Sequence, residues 1–199
     1  MKELNLYKIF RSGFRFLLRI FYKYEVVGSH HLPTTGPVIL CANHISNWDP
    51  MSLGGAVERQ VCYMAKAELF DIPVVSYLVK EFGAFPVKRG GGDRAAIRAT
   101  MQILDEGKVF GIFPEGSRSK TGEVGEGKSG VALFALKSDA AVVPVAIIGP
   151  YRLFRKVKVV VGKPLDLSPW KTEKPTGETM KQVTDFIMDE IRRMIVEHK

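Results

Sequence analysis

The run Val38-Ile39-Leu40-Cys41-Ala42 is followed directly by Asn43-His44-Ile45-Ser46-Asn47-Trp48-Asp49-Pro50. Five apolar residues in a row, bounded by polar ones, are short for a helix and predict a strand covered on both faces. Asp49-Pro50 predicts a helix start. Asp49 would be its N-cap, and Pro50 would take the first helical position, where a missing N–H costs nothing. A buried strand that passes through a short polar turn into a helix is the building unit of an α/β sheet.

The alternation continues on both sides of this unit. Residues 61–65, 84–87, 109–113, 142–148 and 157–161 predict strands. Residues 73–81, 93–106, 129–137 and 176–198 predict helices. The second has Asp93 as cap and Gly107 as stop; the last carries an apolar stripe at Met180, Val183, Ile187, Ile191, Met194 and Ile195. The expected fold is one α/β domain over residues 25–199, with a mixed, largely parallel sheet flanked by helices. A length of 199 residues suits one domain, and 46% hydrophobic with 25% charged residues excludes a disordered chain. Two cysteines, Cys41 and Cys62, exclude a disulfide framework and a four-thiolate zinc site; two buried, reduced thiols are expected.

The net charge of +8 is unevenly placed. Residues 1–24 hold Lys2, Lys8, Arg11, Arg15, Arg19 and Lys23 against Glu3 alone. The cations recur every three or four residues, with Ile9, Phe10, Phe14, Phe16, Leu17, Leu18, Ile20 and Phe21 between them. This predicts an amphipathic helix with a basic stripe and a wide apolar face. Arg15 and Arg19 interrupt it too centrally for a membrane span, and no signal-peptide pattern follows. The pattern suits a helix lying in a membrane interface. The plainer alternative is a terminal helix docked on its domain. Beyond the N-terminus no basic, aromatic stripe of the nucleic-acid-binding kind occurs, and nucleic acid is not an expected partner.

Three polar motifs follow predicted strands, where the chemistry of such sheets gathers. In the first, His44 and Asp49 are five residues apart. If the turn folds back, Asp49 can accept from one imidazole nitrogen and leave the other as a base. That is the Asp–His part of a serine-hydrolase triad without its nucleophile, which would then be a substrate hydroxyl. Alternatively, Asp49 only caps the next helix. In the second, Gly83-Ala84-Phe85-Pro86-Val87-Lys88-Arg89 runs into three glycines, and Arg89 could clamp a phosphate or sit in a solvated turn. In the third, Phe113-Pro114-Glu115-Gly116-Ser117-Arg118-Ser119, Arg118 could bind phosphate and Glu115 could orient it or hold a substrate hydroxyl. Glu115 and Arg118 could equally form an ion pair.

One match misleads. Gly122 to Ser129 spells a Walker A pattern, and Gly125 to Gly130 a dinucleotide one. Polar Ser119-Lys120-Thr121 stands where a strand is required, and Glu123 and Glu126 would repel the phosphates. Lys128, at a predicted helix N-terminus, remains a candidate anion contact. His30-His31 has no metal-ligand spacing to an acid or thiol.

Together the motifs resemble the glycerolipid acyltransferase family, of the 1-acyl-glycerol-3-phosphate acyltransferase type. His44 and Asp49 match its His-x-x-x-x-Asp block, with Asn43 before it. Gly83 and Arg89 match the second block, although Pro86 and Lys88 stand where Phe and Asp are frequent. Phe113 to Arg118 matches the third, and Val143-Pro144-Val145 resembles the fourth. The resemblance implies acyl transfer from acyl-coenzyme A or acyl-carrier protein to the sn-2 hydroxyl of lysophosphatidic acid, giving phosphatidic acid. It implies His44 as general base oriented by Asp49. Arg89, Glu115, Gly116, Ser117 and Arg118 would hold the acceptor's phosphate and glycerol, with Lys128 as a further contact. No metal and no cofactor beyond the thioester co-substrate are implied. The expected location is peripheral, on the cytoplasmic face of a membrane, with residues 1–24 as the attaching segment. Alternatives are another acceptor, such as glycerol-3-phosphate, another lysolipid or an amine-bearing lipid; a thioesterase; or a membrane-surface lipid-binding protein without turnover.

Overall fold

The structure, a computed structural model, describes residues 6–81, 83–87, 94–171 and 174–199. Its described strands are β1 (Glu25–Val27), β2 (Val38–Ala42), β3 (Val61–Lys66), β4 (Ala84–Val87), β5 (Val109–Ile112), β6 (Ala141–Ile148) and β7 (Lys158–Val161). The α-helices are α1 (Leu6–Tyr22), α2 (Asp49–Ala56), α3 (Pro73–Glu81), α4 (Arg94–Asp105), α5 (Gly130–Lys137) and α6 (Gly177–His198). The strands form one sheet in the order β1-β7-β6-β2-β5-β3-β4, parallel except where β6 meets β7. The expected mixed, largely parallel α/β sheet is therefore present.

Strand β2 lies at the centre, and all five of its residues are fully buried. Val38, Leu40 and Ala42 pack toward α1 and α2, against Leu18 and Leu53. Ile39 and Cys41 pack the other way, against Leu104 of α4, Phe134 of α5 and Ile187 of α6. Period-two alternation in a strand covered on both sides thus explains the unbroken apolar run. Each such side chain contributes about 1.5–3 kcal/mol over an exposed one. Where β2 ends, the Asn43 side chain takes over its ladder: Oδ1 accepts from Ile147 N at 2.7 Å and Nδ2 donates to Ile147 O at 2.9 Å.

Two details differ from the sequence reading. Strand β1 was not expected; it is a three-residue, half-buried segment that pairs with β7 at the sheet edge. Helix α2 begins at Asp49 itself, with Trp48 in the N-cap position and no side-chain cap. Asp49 is not an N-cap because its carboxylate is turned back into the preceding loop. The stop of α4 at Gly107 stands: at φ +70°, Gly107 donates to Leu104 O and Lys108 to Ile103 O. Asp93, its expected cap, lies outside the described residues.

Helix α1 divides its two faces differently from the expected stripe. Tyr7 and Leu18 are buried, with Phe14 and Tyr22 partly so, against the domain. Arg11 also faces inward, donating to Val57 O and to the Glu58 carboxylate at 2.7 Å each, and Arg15 stands 3.7 Å from Glu58. Two cations of the predicted basic stripe are therefore spent on docking. Ile9, Phe16, Leu17, Ile20 and Phe21 are exposed on the opposite side. No described helix is long and apolar enough to cross a membrane.

Candidate active site

The C-terminal ends of β2 and β5 bring the first and third motifs together. His44 is held at four points. Its N–H donates to Glu115 Oε1 at 2.7 Å, and its carbonyl accepts from Ser119 N at 2.7 Å. Its ring stacks on Phe113 with centroids 4.2 Å apart and planes 21° apart. Its Nδ1 lies 2.7 Å from Asp49 Oδ2. Since a carboxylate accepts, Nδ1 carries the hydrogen, and Nε2 is the acceptor. The imidazole is 18% exposed and its partner 0%, so the ring reaches the surface while the carboxylate does not.

Asp49 is placed by local chain geometry. Oδ2 also accepts from Ile45 N at 2.6 Å and Ser46 N at 2.7 Å. Its position in the first turn of α2 favours the negative charge.

Glu115 has a different occupation from the one read in the sequence. It is 8% exposed. One oxygen holds His44 N, and the other accepts from Gly125 N at 3.1 Å. Its two oxygens thereby tie the β2 and β5 loops to the glycine-rich segment. Among the described residues it makes no ion pair with Arg118. A Cβ at Gly125 would stand 3.2 Å from Oε2, tighter than an ordinary contact, so a side chain there would push against this carboxylate. The Walker-like stretch is thus no phosphate cradle: Gly125 N–H already serves a carboxylate. Gly127 has its own constraint, since a Cβ there would stand 2.6 Å from Thr184 of α6.

Gly116, Ser117 and Arg118 are exposed on the turn after β5. Gly116 has φ +69°, and a Cβ there would lie 2.9 Å from Lys128 Nζ. The Lys128 side chain therefore crosses the turn two residues from Arg118. Neither cation has a protein carboxylate partner among the described residues. This pairing of an oriented base with unneutralised cations fits nucleophilic transfer onto an anionic molecule.

Comparison with known proteins is consistent with that chemistry. Residues 23–148 match the family described as Acyltransferase. The chain belongs to the acyltransferase family. A relative from Bacillus subtilis, named 1-acyl-sn-glycerol-3-phosphate acyltransferase, is 30% identical and the match covers 95% of this chain and 96% of that one. A Streptococcus pneumoniae protein of the same name is 31% identical over 81% of this chain and 61% of its own. The crystal structure of the 1-acyl-sn-glycerophosphate (LPA) acyltransferase PlsC from Thermotoga maritima shares the fold. Its TM-score is 0.76 at 23% identity, over 100% of this chain and 84% of that one. The chain is thus an acyltransferase by family.

Of this acyltransferase's predicted site residues, the structure brings His44, Asp49 and Glu115 into one hydrogen-bonded cluster, with Gly116, Ser117, Arg118 and Lys128 on the adjoining turn. Arg89 lies outside the described residues. Two contributors had no role in the sequence reading. Phe113 stacks on the His44 ring, and could have been suspected as the aromatic that follows β5. Asn43 was noted only as the residue before His44, and no local pattern announced its pairing with β6. His31, in the loop before β2, donates from Nδ1 to Val161 O at 2.9 Å, a structural tie.

Proposed function

We propose that the chain transfers a fatty acyl group from a thioester, acyl-coenzyme A or acyl-carrier protein, to the sn-2 hydroxyl of 1-acyl-glycerol-3-phosphate. The product is phosphatidic acid, a step of phospholipid synthesis. The observation that carries this reading is the His44–Asp49 pair: an oriented imidazole whose Nε2 has no partner, hydroxyl and thiol included, among the described residues. His44 Nε2 takes the acceptor's hydroxyl proton as that oxygen attacks the thioester carbonyl. The C–S bond breaks, and the thiolate recovers the proton from the imidazolium. Asp49 stays anionic throughout. General-base catalysis supplies about 10²–10⁴-fold, so alignment of two bound substrates contributes much of the rest. Arg118 and Lys128, with Arg89, hold the acceptor's phosphate; Gly116 and Ser117 shape the turn that meets its glycerol.

A lipid acceptor calls for a membrane surface, and the exposed apolar side chains cluster accordingly. Ile20 and Phe21 at the end of α1 are exposed, as are Trp48 beside the His44 turn and Leu153 and Phe154. The Phe154 N–H donates to Phe21 O at 2.6 Å, which joins that loop to α1. Arg19, Lys23, Arg152 and Arg155 flank the group, and each cation near anionic lipid adds about 1 kcal/mol. This supports peripheral attachment, with the cytoplasmic face as the side that holds thioester donors.

The reaction is tested by thiol release from palmitoyl-coenzyme A in mixed micelles, with and without lysophosphatidic acid. Acceptor-dependent release with phosphatidic acid formed is the expected result. Release without acceptor means a thioesterase. With an acyl-carrier-protein donor tried as well, no release from either donor leaves a binding protein.

A further inference from the structure

The dyad accounts for only one oxygen of Asp49. Oδ2 takes the His44 ring N–H and two backbone N–H groups. Oδ1 is equally buried, and it accepts no hydrogen bond among the described residues, although the Tyr151 phenol lies close enough to interact with the carboxylate. Buried acceptors of this kind are rare, and each needs an explanation. Ser52 sits one turn further along α2 and is fully buried. Its Oγ accepts the phenol of Tyr151 at 2.8 Å. Having accepted, the serine hydroxyl still has its own hydrogen to give.

Tyr151 comes from the loop after β6 and meets the edge of Tyr22 with centroids 5.7 Å apart. Burial pushes its phenol up, and the negative charge of Asp49 pushes it further, so it stays protonated. The groups around the dyad are then accounted for on each side. Glu115 holds the His44 N–H from the β5 side. Tyr24 is engaged elsewhere, donating to Ser52 O at 2.5 Å. Tyr151 and Ser52 are the hydroxyls left behind the carboxylate.

We propose that Tyr151 is a positioning residue for the acyl transfer: with Ser52 it supplies a hydrogen-bond donor to Asp49 Oδ1 as His44 takes up the acceptor's proton. The proposal rests on the general-base reading above. When the imidazolium forms, the proton between Nδ1 and Oδ2 is drawn toward the carboxylate. A donor on Oδ1 stabilises the anion and keeps that proton on nitrogen. Hydroxyl hydrogens turn freely, so heavy atoms need move little.

The test is Tyr151→Phe, which removes one oxygen and keeps the ring. Two readouts are taken: steady-state transfer, and the ring N–H proton resonance of His44 in its imidazolium form, the state in which the donor is proposed to act. The expected result is a fall in kcat of about tenfold with both KM values within about twofold, because the lost donor acts on a charged group that only the chemical step exploits. The resonance moves downfield, because a carboxylate with one donor fewer pulls harder on the Nδ1 hydrogen. An unchanged kcat overturns the proposal. So does a loss of kcat with an unmoved resonance, or one confined to KM; either marks a packing role. If Tyr151→Phe fails to fold, Ser52→Ala is judged by the same two readouts. The resonance needs no substrate, so it reports the link to Asp49 even if the acceptor is not lysophosphatidic acid.

Discussion

Under the proposed mechanism the site has a proton-handling half and an anion-facing half, and the two are built on opposite terms. His44, Asp49 and Glu115 are knit together: main-chain N–H groups, a ring face and each other's side chains hold them. Arg118 stands on an exposed turn that the Lys128 side chain crosses, and among the described residues neither cation forms an ion pair with a carboxylate. A general base must already be aligned when the hydroxyl arrives, and alignment at that scale is worth many powers of ten. A cation meant for a phosphate must instead keep its charge unspent, since a protein carboxylate would compete with the ligand. The protein therefore buries what it must hold still and leaves in water what the substrate will pair.

The largest effect should come from breaking the buried half. His44→Ala is expected to lower kcat by about 10³-fold or more while the circular dichroism spectrum stays native. Retention of more than a few per cent of the activity would remove His44 as the base.

Next in size is Glu115→Gln, which keeps the shape but gives one tie an NH2 group that cannot accept from an N–H. Loss of a bond to a buried charged group is expected to cost about 1.5–3 kcal/mol of stability. A thermal melt checks this, and kcat should fall with it because the tie holds the backbone of His44. A melting temperature equal to that of the parent would mean that Glu115 serves the ligand after all.

The exposed half should respond in a different parameter. Arg118→Ala is expected to raise KM for the phosphorylated acceptor about tenfold and leave the KM of the acyl donor alone. If the donor KM moved instead, the phosphate site would be misplaced.

The smallest effect concerns an exposed pair away from the site. The Arg11 guanidinium beside Glu58 holds that carboxyl below its usual range. A depressed carboxylate stabilises above its unfolded pKa, and the gain is lost as pH falls through the folded one. The Glu58 side chain is 77% exposed, so solvent screening leaves the pair about 0.5 kcal/mol. Glu58→Gln should then lower the melting temperature by about 1–2 °C near neutrality. The difference should vanish below about pH 4. A shift that persists in acid would mean that Glu58 acts by packing.

The sequence made the half built on contiguous residues legible. His44 and Asp49 share one turn, so their spacing announced the pair. The apolar runs announced β2, β5 and β6 because strands covered on both faces tolerate little else. Long-range partners were not legible. Glu115 reads as an acid beside an Arg, and only the fold shows that His44 N and Gly125 N reach it first. Asp49 before Pro50 has the pattern of an N-cap, and the demand of the imidazole overrode that local preference. Strand β1 is too short and too exposed to leave a periodic signal. In α1 the cations recur at helical spacing, but spacing alone does not say that Arg11 and Arg15 turn inward to Glu58.

The side chain of Asn43 has a consequence for what sequence drift can do here. It must offer an acceptor and a donor at once, to the N–H and the carbonyl of Ile147, at 1% exposure. Asp could not donate to that carbonyl, Ser is too short to span both groups, and Gln would carry its amide one methylene too far. Position 43 is thus close to a one-letter alphabet, closed by the geometry of a strand end. Its neighbour His44 is restricted by the reaction. Selection for folding alone, with the chemistry relaxed, would be expected to release the histidine and keep the asparagine.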